Sequence, residues 1–200
     1  MLSTTDAIVL SLQPQSDKAH MLHAYTRAGG RINYMVYGLG RKHAIGIYTP
    51  LSIVRITASY PQSGMPVIKE ATLSPFAYNL SPLYADHYKR TIALFLSEVL
   101  FHVLRHPMED EPMYNFIAQA IDQLNRTDKP QNFHLHFLIG LAAQLGFAIP
   151  EDHPLYTIHH TPYTRKARQE ALRALCAYFA EHVETWQNPK SLDILMEVFD

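Results

Sequence analysis

An alternating stretch between two glycine-rich turns, residues 31–37, constrains the fold more than any other feature of the sequence. Gly29-Gly30 precedes the stretch and Gly38-Leu39-Gly40 follows it, and glycine tolerates the positive φ angles of tight turns. Apolar and polar side chains alternate with the period of a half-buried β-strand. One face holds Ile32, Tyr34 and Val36, and the other holds Arg31, Asn33, Met35 and Tyr37. Because Arg41-Lys42-His43 comes next, the stretch predicts a strand that leads into a basic loop.

Four further stretches within the first 75 residues also have the composition of strands, and turn-forming residues separate them. They are residues 6–12, 19–26, 51–60 and 67–73. In the stretch 51–60, the alternation predicts that Val54, Ile56 and Ala58 point inward and Arg55 outward. Five short strands with turns between them favour a small closed barrel over a sandwich.

The periodicity becomes helical after Ser74-Pro75. Ser81-Pro82 is typical of a helix start, and the apolar pattern continues to His106, where Pro107 ends it. Further helices are predicted from about residue 110, over 131–145, over 165–184 and from Asn188-Pro189 onward, with an irregular segment over 151–164. The sequence therefore predicts an α+β protein of two domains, a five-stranded β-barrel over 1–80 and an all-α helical domain over 81–200.

Charge is distributed unevenly between these two halves. The whole chain has a formal charge of −1, but residues 1–80 carry seven Lys and Arg against three acids, whereas residues 81–200 carry ten against fifteen. A basic β unit is a candidate for nucleic-acid binding. No run of about 18 apolar residues indicates a membrane span, and no basic segment before an apolar run indicates a signal peptide. The one cysteine, Cys176, favours a reducing compartment, so we expect a cytoplasmic protein.

The residues that could support catalysis are few. His102 and His106 have the i, i+4 spacing of metal ligands on a helix, but no third ligand is evident. The sequence contains no nucleophile elbow, phosphate-binding loop or dinucleotide fingerprint. We therefore expect a protein that is not an enzyme and holds no cofactor. A metal-dependent hydrolase that uses the two histidines remains an alternative.

Cations cluster where the predicted helix 165–184 begins. Arg165, Lys166 and Arg168 lie in its first turns, where a positive charge opposes the helix dipole. A solvated face with Glu170 as the ionic partner is one interpretation. The other is a docking point for a nucleic-acid phosphate or for an acidic protein tail, because cations at a helix N-terminus favour anions.

Short pieces along the chain, taken in their order and spacing, resemble the RecO family of bacterial recombination mediators. In the N-terminal part they are Ile8-Val9-Leu10, Ser16-Asp17-Lys18, Tyr25-Thr26, Gly30-Arg31, Tyr37-Gly38 and Tyr48-Thr49-Pro50-Leu51. In the C-terminal part they are Leu145-Gly146-Phe147 with Pro150, and Ser191-Leu192-Asp193-Ile194-Leu195 with Val198-Phe199. The segment 151–190 is shorter than the family pattern.

This resemblance implies an oligonucleotide-binding (OB) fold in the barrel and a helical domain of the RecO C-terminal type. It also implies a nucleoid-associated protein that binds single- and double-stranded DNA and anneals strands. The implied partners are RecR, the acidic tail of single-stranded-DNA-binding protein, and RecA. Many relatives carry a four-cysteine zinc site after the Leu-Gly-Phe step, but this chain has Glu151-Asp152-His153-Pro154 there, so we expect no metal.

The candidate DNA-binding residues are the cations of the barrel and one aromatic side chain. We expect the cations to neutralise phosphates and the tyrosine to stack on a base. The residues are Arg27, Arg31, Tyr37, Arg41, Lys42, Arg55 and Lys69. We expect Arg165, Lys166 and Arg168 to contact a protein partner. The alternative function is an interaction adaptor whose barrel docks a protein and does not bind DNA.

Overall fold

The first part of the chain forms a closed five-stranded barrel in the computed structural model, which describes residues 1–40, 45–75, 80–160 and 164–198. The strand order around the barrel is β1-β2-β3-β5-β4. The strands are β1 (Leu2–Ser16), β2 (Ala19–Thr26), β3 (Gly30–Tyr37), β4 (Ile53–Ser59) and β5 (Val67–Leu73). The predicted barrel is therefore confirmed, and it fits the expected OB-like fold.

Strand β1 is much longer than the predicted stretch 6–12, because it pairs with two neighbours in succession. Its residues from Leu2 to Ile8 pair with β4, and those from Ala7 to Ser16 pair with β2. Strand β1 thus joins β4 to β2 and helps to close the barrel. Local alternation reports only which face of a strand is buried, so it does not reveal a second partner.

The barrel interior contains the side chains that the alternation assigned to it. Tyr34, Val36, Val54 and Ile56 are completely buried in one apolar cluster. The buried Tyr34 hydroxyl lies 3.1 Å from the Tyr60 hydroxyl, which satisfies its hydrogen-bonding capacity. The inward and outward faces of β3 and β4 therefore agree with the prediction.

The chain separates into two compact units, and each contains two chain segments. The first is Met1–Ser81 with Leu104–Asp122, and the second is Pro82–Val103 with Gln123–Asp200. This division differs from the predicted split at residue 80. Residues 104–122 belong with the barrel because they contact strand β3 and the β2–β3 turn, as described below.

Helices make up most of the remaining chain. They are α1 (Ser81–Ala85), α2 (His87–Val103), α3 (Glu111–Arg126), α4 (Phe133–Gln144), α5 (Arg165–His182) and α6 (Leu192–Val198). Short 3-10 turns lie at Ile45–Tyr48, Pro130–Asn132 and Pro154–His160. The helical region that was expected after the barrel is confirmed.

The first predicted helix is interrupted near its start and ends early. The Asp86 carboxylate accepts hydrogen bonds from the backbone N–H groups of Tyr88, at 2.8 Å, and Lys89, at 3.1 Å. This N-cap begins a new helix, because the carboxylate satisfies amides that lack intrahelical partners. Helix α2 ends at Val103, so His106 lies outside it and the expectation that His102 and His106 lie four apart on one helix is wrong.

Candidate nucleic-acid interface

The outer face of β3 carries the polar side of the alternation. Arg31, Asn33, Met35 and Tyr37 occupy it, and Tyr37 is 49% exposed. On the neighbouring strand, Tyr25 lies opposite Arg31 and His23 lies opposite Asn33. From Arg31 to Tyr37 this face extends about 20 Å at the usual rise of a strand. A cation at one end and an exposed aromatic ring at the other suit a short single strand of nucleic acid.

A strap crosses one end of this face, and we use that name for residues Leu104–Met108. The backbone N–H of Arg31 donates to the carbonyl oxygen of His106 at 3.2 Å, and its guanidinium donates to the carbonyl of Leu104 at 3.1 Å. Gly30 has a φ of 62°, and a Cβ at this position would overlap the Met108 carbonyl oxygen. Only glycine meets both requirements, so Gly30 allows the strap to approach β3 closely.

A groove opens beside β3 between the strap and β5. Strand β5 pairs with β3 at Met35 and Val67, and the Met35 N–H donates to the Pro66 carbonyl at 2.8 Å. Between this contact and the strap, a cavity of about 480 Å³ is lined by Arg31, Asn33, Met65, Pro66, Arg105 and Pro107, among others. We call it the seam groove, because it lies where β3 and β5 close the barrel.

The seam groove is cationic. Burial and, to a smaller extent, repulsion from Arg105 together lower the pKa of Arg31 to about 10. Arg31 therefore stays protonated at neutral pH, and two like charges face the same small space. An anion bound there would relieve this repulsion, as a phosphate does beside clustered arginines. Arg105 was not among the predicted site residues.

His23 and Asn33 form a fixed pair on the same face. The His23 Nδ1 lies 2.7 Å from Asn33 Oδ1, an arrangement in which the ring N–H donates to the amide oxygen. Burial lowers the pKa of His23, the bond to Asn33 opposes this shift, and the charge of Arg31 adds to it. The imidazole is thus held neutral near pH 7, and it orients the Asn33 side chain beside the groove.

Two of the predicted phosphate ligands are paired with the protein's own carboxylates. Arg55 donates from Nε and Nη2 to Asp6 at 3.1 and 3.2 Å. Arg27 lies 2.9 Å from Glu111 and 4.6 Å from the ring centre of Tyr114. A phosphate would have to compete with these carboxylates, so both arginines are weaker ligands than the sequence alone suggested.

The other predicted residues of the barrel are divided between exposed and undescribed positions. Lys69 is exposed on β5, and Tyr37 is exposed at the end of β3. Arg41 and Lys42 lie outside the residues that the structure describes. The structure brings Arg31 together with Arg105, whose position before Pro107 gave no local signal of a groove.

The predicted partner-binding cations lie at the start of α5. Thr164 caps this helix by accepting a bond from the Ala167 N–H at 3.3 Å. The Lys166 ammonium lies 3.9 Å from Glu170, with both side chains largely exposed. Arg165 and Arg168 border a very small cavity beside His134. Burial, with the charges of Arg168 and His136, lowers the pKa of His134 to about 3.

Neither a metal centre nor a membrane span is found in the described ranges. Across residues 1–40, 45–75, 80–160 and 164–198, no three His, Cys, Asp or Glu side chains are grouped as metal ligands. In these same ranges no helix combines the length and apolar character that crossing a bilayer requires.

Comparison with known proteins agrees with this architecture. The family model described as "Recombination protein O N terminal" matches residues 1–76, and "Recombination protein O C terminal" matches residues 85–154. Curated relatives named DNA repair protein RecO include one from Christiangramia forsetii, 26% identical over the full length of both chains. Another, from Flavobacterium johnsoniae, is 29% identical over 98% of both chains.

A third relative of the same name, from Porphyromonas gingivalis, is 34% identical over 76% of this chain and 63% of its own length. The two family models match the barrel and the helical region in the order in which the chain presents them. This chain therefore belongs to the RecO family, whose role is in DNA repair and recombination.

Proposed function

We propose that this chain binds DNA on the outer face of β3 and acts as a recombination mediator rather than an enzyme. The observation that carries the proposal is the meeting of Arg31 and Arg105 in the seam groove, on the strand that ends with the exposed Tyr37. Phosphates would bind the guanidinium groups, and bases would stack on the tyrosine ring. Most of the affinity would then be electrostatic and independent of sequence.

Annealing follows from the same surface. Two single strands repel each other through their phosphates, and a cationic face that holds one strand lowers the repulsion felt by the second. We infer that the chain binds both single- and double-stranded DNA. By lowering this repulsion, it would promote the annealing of single strands into a duplex. Such a role would place the chain at the nucleoid.

The partners we propose are RecR, single-stranded-DNA-binding protein and RecA, so that the chain helps to load RecA on coated single strands. The start of α5 supplies a docking point for an acidic protein tail. Arg165, Lys166 and Arg168 concentrate positive charge at a capped helix N-terminus, which favours carboxylates. The Lys166–Glu170 pair is exposed, so a partner's carboxylate could replace Glu170 at little cost.

The test is a titration of labelled single-stranded oligonucleotide at several salt concentrations. Arg105→Ala should weaken binding and reduce the dependence of the affinity on salt by about one phosphate contact. Arg173→Ala is the matched control, because it removes the same charge from an exposed position on α5. Equal effects of the two variants would exclude Arg105 from the site. Salt-independent or absent binding would favour the protein-interaction adaptor.

A further inference from the structure

We propose that the seam groove holds one unpaired nucleobase, which is recognised through its Watson–Crick edge by the backbone N–H and C=O of Asn33. This inference rests on the proposed binding of DNA by the outer face of β3. It goes further by naming the part of the nucleotide that the groove accepts and the reason that a single strand would be selected.

The first step is the direction of the backbone groups of β3. The N–H groups of Arg31 and Met35 both point away from β2, because they donate to His106 on the strap and to Pro66 before β5. Residues two apart in a strand direct their N–H and C=O groups to the same edge. Asn33 lies midway between them, so its N–H and C=O point into the seam groove.

The second step is that this edge is open at Asn33. The strap bonds the strand at Arg31, and β5 pairs with it at Met35. Among the described residues, neither segment gives the Asn33 backbone a hydrogen-bond partner on this edge. The groove therefore presents one donor and one acceptor side by side, in an open cavity to which a ligand has access.

The number of free backbone groups on this edge favours a nucleobase over a peptide as the ligand. A peptide that adds to a sheet needs several consecutive residues of free edge, with bonding positions about 7 Å apart. Here the positions on either side of Asn33 are occupied by His106 and Pro66. A nucleobase needs only one adjacent donor and acceptor, and the Watson–Crick edge of each base supplies such a pair.

The walls of the groove suit the rest of a nucleotide. Pro66, Pro107 and the 40% exposed Met65 supply apolar surface for the faces of the ring. Arg31 and Arg105 supply planar guanidinium groups that bind phosphate and stack on bases. The volume of about 480 Å³ lies within the range of small-ligand sites.

Selection of single strands follows directly. In a duplex, the Watson–Crick edge of each base is already bonded to its partner, so a paired base cannot reach Asn33. Since every base has an adjacent donor and acceptor on that edge, the groove would tolerate any sequence. It would nevertheless exclude paired DNA from this position, and duplex would bind through phosphate contacts alone.

The experiment compares two oligonucleotides of fifteen residues, one of thymidine and one of N3-methylthymidine. They have the same phosphates and can stack on Tyr37 in the same way, but the methyl group replaces the N3–H donor and blocks the edge. We expect the methylated strand to bind the full chain about three- to tenfold more weakly, from the typical net contribution of one hydrogen bond.

Two variants locate the effect. Asn33→Pro removes the N–H, and because this group faces away from β2, no backbone bond to β2 is lost, although the side-chain bond to His23 is. Met65→Trp fills the groove and leaves the β3 backbone unchanged, so it serves if the proline variant does not fold. In either variant, the two oligonucleotides should bind equally, while binding remains sensitive to salt.

The outcomes separate this inference from the proposed function. Equal affinity of the two oligonucleotides for the unaltered chain, with salt-dependent binding intact, would overturn the nucleobase site and leave the DNA-binding proposal standing. A preference that persists in Met65→Trp would also overturn it, because the edge would be recognised elsewhere. Absence of salt-dependent binding to either oligonucleotide would overturn both.

Discussion

Replacement of Gly30 by alanine should destabilise the barrel unit by about 2–3 kcal/mol, and the structure separates two causes of this loss. The first is backbone strain, because a φ of 62° costs a residue with a Cβ about 1–2 kcal/mol. The second is the strap. The new methyl group would displace the carbonyl groups of Met108 and His106, and with them the bond from Arg31, which contributes about 1 kcal/mol.

Two other glycines isolate these causes when urea unfolding of the full chain is measured. In Gly64→Ala the new Cβ adds the strain of a φ of 96° but has no atom within 4 Å, so the loss of stability should equal the strain alone. Gly46→Ala also meets nothing within 4 Å, and its φ lies outside the left-handed region, so it should change stability little. If Gly30→Ala costs no more than Gly64→Ala, the strap does not press on β3 and the description of this contact is wrong.

Three further predictions concern other parts of the molecule. Asp6→Ala removes a largely buried carboxylate that accepts two hydrogen bonds from Arg55, and should lower the free energy of unfolding in urea by about 1.5–3 kcal/mol. Glu111→Ala breaks an exposed ion pair with Arg27 and should lower it by less than about 1 kcal/mol. A larger loss for Glu111→Ala would contradict this order. Tyr37→Ala should weaken single-strand binding by about 1–3 kcal/mol in the same titration, while Tyr37→Phe keeps the ring and should bind normally. Finally, the pKa of His134 is about 3 in the folded chain and near 6.5 in the unfolded chain. Between pH 6.5 and pH 3 the unfolded chain therefore binds one more proton than the folded chain, so the free energy of unfolding should fall as the pH drops below 6.5. His134→Gln should flatten that part of the pH profile, and an unchanged profile would show that other groups cause it.

Local pattern was sufficient to predict the strands because each one has a buried and an exposed face. The alternation around Tyr34 and Val36 reports burial directly, and the barrel follows from five such stretches. The length of β1 was not predictable in this way, since its first half pairs with β4, about 50 residues later in the chain. Which strands pair depends on the whole sheet, so the local sequence of one strand does not reveal its partners.

The candidate site was only partly predictable for the same reason. Arg31 was identified because it lies on the outward face of β3. Arg105 was missed because its position beside Arg31 depends on the strap, which no periodicity indicates. The partner of Arg27 lies 84 residues away and that of Arg55 lies 49 residues away, so their ion pairs could not be inferred from neighbouring sequence.

The first compact unit is assembled from two pieces of chain, residues 1–81 and 104–122. During synthesis, the barrel strands leave the ribosome before the strap does, so the edge of β3 at Arg31 stays uncovered until residue 108 has emerged. Uncovered strand edges are sites at which chains join one another incorrectly. A fragment that stops at residue 80 would keep this exposed edge permanently, whereas the full chain covers it once the strap has been synthesised.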